Sequence, residues 1–218
     1  MPMMDEAADR SDVVIFGGDM FDFRWTTFPN LKETVDNALQ WLGRFAARHP
    51  RCKLQLLLGN HDHHVCLMES LDTLSKAEER FSWHPYIYRI DDCVFLHGDV
   101  VDGARNAELL AAARARCHQR TIKKSRFMNL LYDLAVVVGV HRIAVRFAHP
   151  HRLTAKRLLG YLDSIGLGVN NGVRCVVFGH THRALHNFQY RDVRFFNGGG
   201  AIKGLRFHVI ELDTSLFT

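Results

Sequence analysis

Four short segments of this sequence place aspartate, asparagine or histidine beside glycine. They are Gly17-Gly18-Asp19, Gly59-Asn60-His61-Asp62, His97-Gly98-Asp99 and Gly179-His180-Thr181-His182. Carboxylate and amide oxygens combined with imidazole nitrogens suit divalent manganese, iron or zinc, whereas calcium prefers oxygen ligands alone. Two such ions about 4 Å apart can clamp a phosphate and stabilise in-line displacement at phosphorus. The residue types therefore indicate a two-metal site that acts on a phosphoester.

Each of these segments comes directly after an apolar run of strand length, at residues 13–16, 54–58, 93–96 and 175–178. Near-continuous apolar runs predict strands that are buried on both faces. A helix with an apolar period of 3.6 residues is predicted between the first two runs, over Leu31–Arg48. Strand, helix and strand in this order predict an α/β fold, in which functional groups gather at the carboxyl ends of strands. One histidine after a strand is more often structural, but four such strand ends together indicate a site.

Later strands are predicted at residues 194–196 and, from alternating apolar residues, at 205–212. The segment between the third and fourth motifs has a helical pattern and an unusual charge. Residues 104–160 hold twelve Lys or Arg against two acids, in a chain of net charge +5. We predict one domain over residues 1–218, with a basic helical lid inserted at 104–165 and an anionic partner for it. The alternatives are a solvated helical face for the charges and an ordinary buried helix pair for residues 127–147.

The bulk properties argue against several classes of protein. No stretch reaches the roughly 18 consecutive apolar residues that span a bilayer, and the first residues lack the basic start and apolar run of a secretory signal. The five cysteines are widely spaced and include no CxxC pair. This spacing predicts neither a disulfide framework nor a zinc knuckle, and it fits a reducing, cytoplasmic setting.

The four motifs, taken in order, resemble the signature of the calcineurin-like metallophosphoesterases over about residues 12 to 212. The resemblance implies a four-layer α/β/β/α sandwich and two divalent ions, manganese first, with iron or zinc as alternatives. It implies that Asp19 bridges the ions, that Asn60, His97 and His180 bind one of them, and that His182 binds the other.

The resemblance also implies a catalytic residue and its surroundings. His61 matches the residue that contacts phosphate and protonates the leaving group, although a structural donor role is the alternative. Asp22 is expected to support the site, and Asp62 to orient a histidine rather than to bind metal. Asp99 is expected to line the pocket.

One element of the family signature is absent from this sequence. The signature begins with Asp-x-His at the end of an earlier strand, but the first eighteen residues contain no histidine. Asp62-His63-His64 fits the pattern literally but is the tail of the motif Gly59-Asn60-His61-Asp62, so it lies in the wrong place. The site for the first ion is therefore left with Asp19 and His182, which is too few protein ligands for a stable centre. A chain that lacks its first strand is the favoured explanation, and a degenerate, inactive homologue is the other.

The motif spacings of 41, 37 and 83 residues resemble those of UDP-2,3-diacylglucosamine pyrophosphohydrolases, which act in lipid A synthesis. That resemblance implies a lipid-linked nucleotide sugar as substrate and peripheral contact with the inner face of the plasma membrane through the lid. Two departures are His61, where that group often has arginine, and Asn197-Gly198-Gly199-Gly200 in place of Gly-Asp-Trp.

Other functions stay open at this point. They are a protein or small-molecule phosphatase of the same superfamily and an inactive homologue that binds anionic lipid or nucleic acid. Nucleic acid is the weaker partner, because the chain has no aromatic-basic recognition motif.

Overall fold

The computed structural model describes residues 2–23, 26–119, 148–201 and 205–217. The chain divides into two compact units. Unit 1 consists of Met1–Tyr88 and Phe95–His97, and unit 2 consists of Arg89–Val94 and Gly98–Thr218.

Unit 1 is built on a parallel sheet with the order β1-β2-β3. Its elements are α1 (Pro2–Arg10), β1 (Val13–Gly17), α2 (Leu31–Arg48), β2 (Lys53–Leu57), α3 (Val65–Ala77) and β3 (Phe81–His84). The predicted α/β class and the predicted helix α2 are confirmed. Asn30 caps α2 because its side-chain oxygen accepts a hydrogen bond from the Glu33 amide.

The core of unit 1 lies where α2 packs on the sheet. Phe45 and Leu42 of α2 are buried in one cluster with Phe16, Leu54 and Leu56 of the strands. Strand β2 is buried from Leu54 to Leu57, as a central strand of a covered parallel sheet should be. Strand β1 differs from the prediction, because its first three residues are only half-buried. It lies at the end of the sheet order, and β2 is its one partner among the described strands.

The second sheet has five strands in the order β4-β5-β6-β8-β7. The strands are β4 (Ile87–Ile90), β5 (Cys93–Leu96), β6 (Cys175–Phe178), β7 (Leu185–Tyr190) and β8 (Val193–Asn197). Strands β6 and β8 run parallel, and β7 runs antiparallel to β8. Among its described residues, unit 2 contains the helices α4 (Ala107–Gln119) and α5 (His151–Ser164) and a 3₁₀ turn at Asp99–Asp102.

One sequence prediction is wrong in unit 2, and another is covered only in part by the described residues. The predicted strand at 205–212 is wrong, since an isolated antiparallel bridge between Gly199 and Phe207 is the pairing formed there. The predicted lid at 104–165 is helical at both of its ends, in α4 and α5. The rest of it, including the helix pair predicted at 127–147, lies outside the described residues. In the part of the chain that is described, we find no helix with the length and apolar character needed to cross a bilayer.

Candidate metal centre

Asp19 and His97 face each other in unit 1 with the chemistry of metal ligands. Asp19 Oδ2 lies 3.1 Å from His97 Nε2, and His97 Nδ1 lies 3.0 Å from the carbonyl oxygen of Gly17. A carbonyl oxygen can only accept, so Nδ1 carries a proton and donates it. Nε2 then turns its lone pair towards the carboxylate, and two acceptors at this distance need a cation between them, either a proton or a metal ion. The buried His97 ring is therefore oriented as histidine ligands usually are.

The electrostatics of Asp19 favour its charged form. Burial works to raise the pKa of Asp19, but it is outweighed by the coulombic attraction and hydrogen bond of His97. The backbone amide of His61 also donates to Asp19 Oδ1, at 2.8 Å. Together these contacts hold the pKa of Asp19 well below its ordinary value. Asp19 is therefore an anion at neutral pH, which is the form of a carboxylate that can bind a metal ion.

The backbone around Asp19 explains why glycine flanks these motifs. Asp19 has a φ of 54°, in the left-handed region that non-glycine residues rarely adopt. Gly18 has a φ of 90°, and a Cβ on it would lie 2.6 Å from His97 Nδ1. A Cβ on Gly59 would clash with Asp19 Oδ1. Strained and close-approaching backbone of this kind concentrates at functional sites.

Asp62 joins the two loops that carry Asp19 and Asn60. It is fully buried, and its carboxylate accepts from the backbone amides of Gly59, at 2.6 Å, and Met20, at 2.9 Å. Burial, followed by the negative charge of Asp19, raises the pKa of Asp62 to about 6. Through these two hydrogen bonds Asp62 fixes the backbone of both loops. Its expected role in orienting a histidine stays a prediction.

His61 and Asp22 form a second pair in unit 1. His61 Nδ1 lies 3.0 Å from Asp22 Oδ1, and the His61 ring is partly exposed. A carboxylate on Nδ1 orients the ring and leaves Nε2 as the atom that could give a proton to a leaving oxygen. Asp22 thus holds the His61 ring, and its support of a catalytic site stays a prediction. Asn60 lies between Gly59 and His61 in the same loop, with its side-chain oxygen buried.

In unit 2, His180 and His182 lie in the loop that follows β6. Both have left-handed backbone, with φ of 60° and 53°. A Cβ on Gly200 would lie 2.9 Å from the Cβ of His182, so glycine is needed there for close approach. His180 Nε2 lies 2.9 Å from Asp102 Oδ2, and this hydrogen bond lowers the pKa of Asp102.

Asn197, at the end of β8, fixes this loop. Its Nδ2 donates to the carbonyl oxygen of Gly179, at 2.8 Å, and to Thr181 Oγ1, at 3.1 Å. Its Oδ1 accepts from the Gly199 amide at 2.8 Å, so all of these contacts are made by one buried amide. The sequence drew attention to Asn197 only as a departure from a motif. Its position directly after a strand was the signal that could have identified it.

Asp99 has a different role from the one predicted. Both of its oxygens accept from the guanidinium of Arg114, at 2.8 Å each, and both residues are buried. A carboxylate engaged in this way does not line an open pocket, so that expectation is corrected. Sequence reasoning did not identify Arg114 or Asp102. For Asp102, the signal was its place in the polar segment that follows β5.

Comparison with known proteins decides the family. A family model described as calcineurin-like phosphoesterase matches residues 3–184, which is most of the chain and includes all four motifs. The chain belongs to the calcineurin-like phosphoesterase family. Its mixed α/β structure with two sheets agrees with the fold of these phosphoesterases. No curated protein and no solved structure matches the chain.

Calcineurin-like phosphoesterases are metal-dependent hydrolases, and the residues of this chain fit that chemistry. Asp19 Oδ2 and His97 Nε2 lie close enough together to bind one cation, which could be a metal ion in place of the shared proton. The donor set of carboxylate, amide and imidazole groups suits a divalent transition ion.

Proposed function

We propose that this chain hydrolyses a phosphoester or pyrophosphate bond with two divalent ions held by Asp19, Asn60, His97, His180 and His182. The observation that carries the proposal is the close approach of Asp19 Oδ2 and His97 Nε2, at 3.1 Å, with the other ring nitrogen of His97 engaged by the carbonyl oxygen of Gly17. The assignment of His180 and His182 to the same two ions comes from the resemblance of Gly179-His180-Thr181-His182 to the family signature, within the residues that the family model matches.

The protein residues have separate roles in the proposed reaction. When bound, the ions polarise the phosphoryl oxygens and make a water molecule nucleophilic at neutral pH. Asp19 would supply a negative charge that both ions could share. As the bond from phosphorus to the leaving oxygen breaks, His61 gives its Nε2 proton to that oxygen, and Asp22 keeps the ring in place. We propose manganese as the native ion, with iron or zinc as alternatives.

For the substrate, we propose a UDP-linked acylated glucosamine of lipid A biosynthesis, cleaved to release UMP. Support comes from the motif spacings and from the twelve basic residues against two acids within 104–160. Arginine and lysine there would bind the pyrophosphate, and the same segment would contact the inner face of the plasma membrane from the cytoplasm. A protein or small-molecule phosphatase of the same family is the alternative, favoured by His61 in place of arginine.

The full chain, freed of metal with a chelator and reloaded with Mn2+, tests the proposal. We expect hydrolysis of bis(p-nitrophenyl) phosphate with Mn2+ and none without it. UMP release from UDP-2,3-diacylglucosamine would support the lipid substrate, whereas release of phosphate from p-nitrophenyl phosphate alone would favour the phosphatase.

Asp19→Ala should remove both bound metal and activity, because it takes away the bridging anion. Asp36→Ala is the matched control, since Asp36 is an exposed aspartate on α2 that pairs with Lys32. A folded, Mn2+-loaded chain that hydrolyses none of these compounds would contradict the proposal. Binding of that inactive chain to anionic vesicles or nucleic acid would point to the inactive homologue instead.

A further inference from the structure

A buried ion pair in unit 2 ties helix α4 to the turn that follows β5. Arg114 is 1% exposed and donates through Nε and Nη2 to the two oxygens of Asp99, at 2.8 Å each. Such a bidentate pair fixes distance and angle together. A buried ion pair usually gives no more stability than an apolar pair of the same size, because both charges lose their hydration. The contribution of the Asp99–Arg114 pair is therefore to the position of the turn rather than to the stability of the fold.

The turn fixed by this pair is the 3₁₀ turn Asp99–Asp102. Its backbone is closed by hydrogen bonds from Val101 to Gly98 and from Gly103 to Val100, at 3.1 Å each. Helix α5 also holds it, because Arg157 Nη1 donates to the carbonyl oxygen of Val101 at 2.5 Å.

Asp102 is the last residue of the turn and lies 2.9 Å from His180 Nε2. Residues three apart in a 3₁₀ turn project on the same side, so Asp99 and Asp102 share one rigid support. The side chain of Asp102 is 60% exposed, and water competes for its oxygens. Its contact with His180 therefore depends on where the turn holds its backbone.

We propose that Asp99 and Arg114 are a positioning pair that sets the orientation of His180 through Asp102. By fixing the turn, the pair keeps the Asp102 carboxylate beside His180 Nε2. That nitrogen then donates its proton to Asp102, and His180 Nδ1 is the nitrogen that would bind metal. A histidine held in one tautomer by a carboxylate binds metal more tightly than one that is not. This inference rests on the proposed role of His180 as a metal ligand.

The first test uses the metal-free full chain and the imidazole nitrogen chemical shifts of His180 in NMR. We expect the wild type to show His180 protonated at Nε2. The apolar replacement Asp99→Leu with Arg114→Met keeps the volume without leaving a buried charge, and it should make the two tautomers mix. Arg116→Met is the matched control, because Arg116 is an exposed arginine of the same helix whose guanidinium donates, within the described residues, to the carbonyl oxygen of Ala112 in that helix. It should leave the shifts unchanged.

The second test measures Mn2+ affinity by titration, with thermal unfolding of each metal-free variant beside it. We expect the apolar pair to weaken binding by about 10- to 100-fold. Asp102→Asn alone should give a similar loss, and adding it to the apolar pair should cause little further loss, because both act through one contact.

Wild-type tautomer and Mn2+ affinity in a folded apolar-pair variant would overturn the inference, because the ion pair would then be structural only. If that variant does not fold, Arg114→Lys decides, since lysine keeps the charge but cannot bind both oxygens. It should weaken Mn2+ binding while remaining folded, and unchanged binding would again overturn the inference. If the wild type binds no Mn2+, the proposed function fails, while the metal-free NMR comparison still supports or contradicts the positioning role.

Discussion

Both units contain a loop that carries candidate ligands and a buried side chain that fixes it, but the two fixing residues differ in charge. In unit 1, the Asp62 carboxylate accepts from two backbone amides. In unit 2, the Asn197 amide donates to a carbonyl oxygen and to a hydroxyl oxygen. The polar groups that each loop turns towards the buried side chain explain the difference. N–H groups need an acceptor such as a carboxylate, and oxygens need a donor such as an amide NH2. The comparison shows that loops with similar functions can require opposite residues for support.

The largest expected effect comes from Asn197→Asp, which gives the loop of unit 2 a carboxylate like that of Asp62 in unit 1. The carboxylate would face the Gly179 carbonyl oxygen and Thr181 Oγ1 with no proton to donate to the carbonyl. We expect a loss of about 3 kcal/mol or more in the free energy of unfolding, as for other uncompensated buried charges. Urea unfolding of the metal-free protein measures it. A loss below about 1 kcal/mol would show that the contacts of Asn197 do not depend on its donor group.

Gly18→Ala tests the close packing of the unit 1 loop. The new Cβ would approach His97 Nδ1 to 2.6 Å on a backbone with a φ of 90°. We expect a cost of about 2 kcal/mol from the left-handed backbone, with weaker metal binding because the ring must move. Gly17→Ala is the matched control, since no atom lies within 4 Å of its Cβ position. Equal effects of the two substitutions on Mn2+ affinity would contradict the assigned geometry of His97.

Asp62→Asn is the reverse exchange and should lower the free energy of unfolding less than Asn197→Asp does. The asparagine oxygen can accept from one of the two backbone amides, but its NH2 group would face the other. We expect a loss of about 1 to 2 kcal/mol in the free energy of unfolding, partly offset because the repulsion with Asp19 disappears. A loss as large as that of Asn197→Asp would remove the distinction between the two units.

The smallest effect concerns pH and appears in unit 1 alone. The folded-state pKa of Asp62 is raised to about 6, above its ordinary value near 4, so the folded chain binds this proton more tightly than the unfolded chain. The contribution of Asp62 to stability should therefore increase as the pH falls from about 6 towards 4 and be absent from Asp62→Asn. Unfolding free energies of both metal-free proteins across this range measure the difference. Parallel curves would contradict the raised pKa.

Local sequence signals were sufficient for the elements that carry the site. Apolar runs followed by Gly, Asp, Asn or His predicted β1, β2, β5 and β6 and the loops after them, because burial and strand ends leave a local pattern. The period of 3.6 residues likewise predicted α2.

Contacts between distant residues left no such signal. Asp99 and Arg114 are 15 residues apart, and one helical arginine among several gives no sign of which will be buried. The wrong strand at 205–212 has a related cause. Alternation of apolar residues describes an amphipathic segment, but a strand also needs a paired neighbour, and here the described pairing is a single bridge.

The half-buried first strand has a consequence for the behaviour of the chain in concentrated solution. The sequence of β1 is Val-Val-Ile-Phe-Gly, which contains no charge and no proline, and among the described strands it is paired only with β2. Natural proteins usually protect such strands with lysine, proline or a bulge. We therefore expect association between molecules to begin at β1, seen as light scattering that grows with protein concentration. Val13→Lys, at a position outside the core cluster, should suppress it.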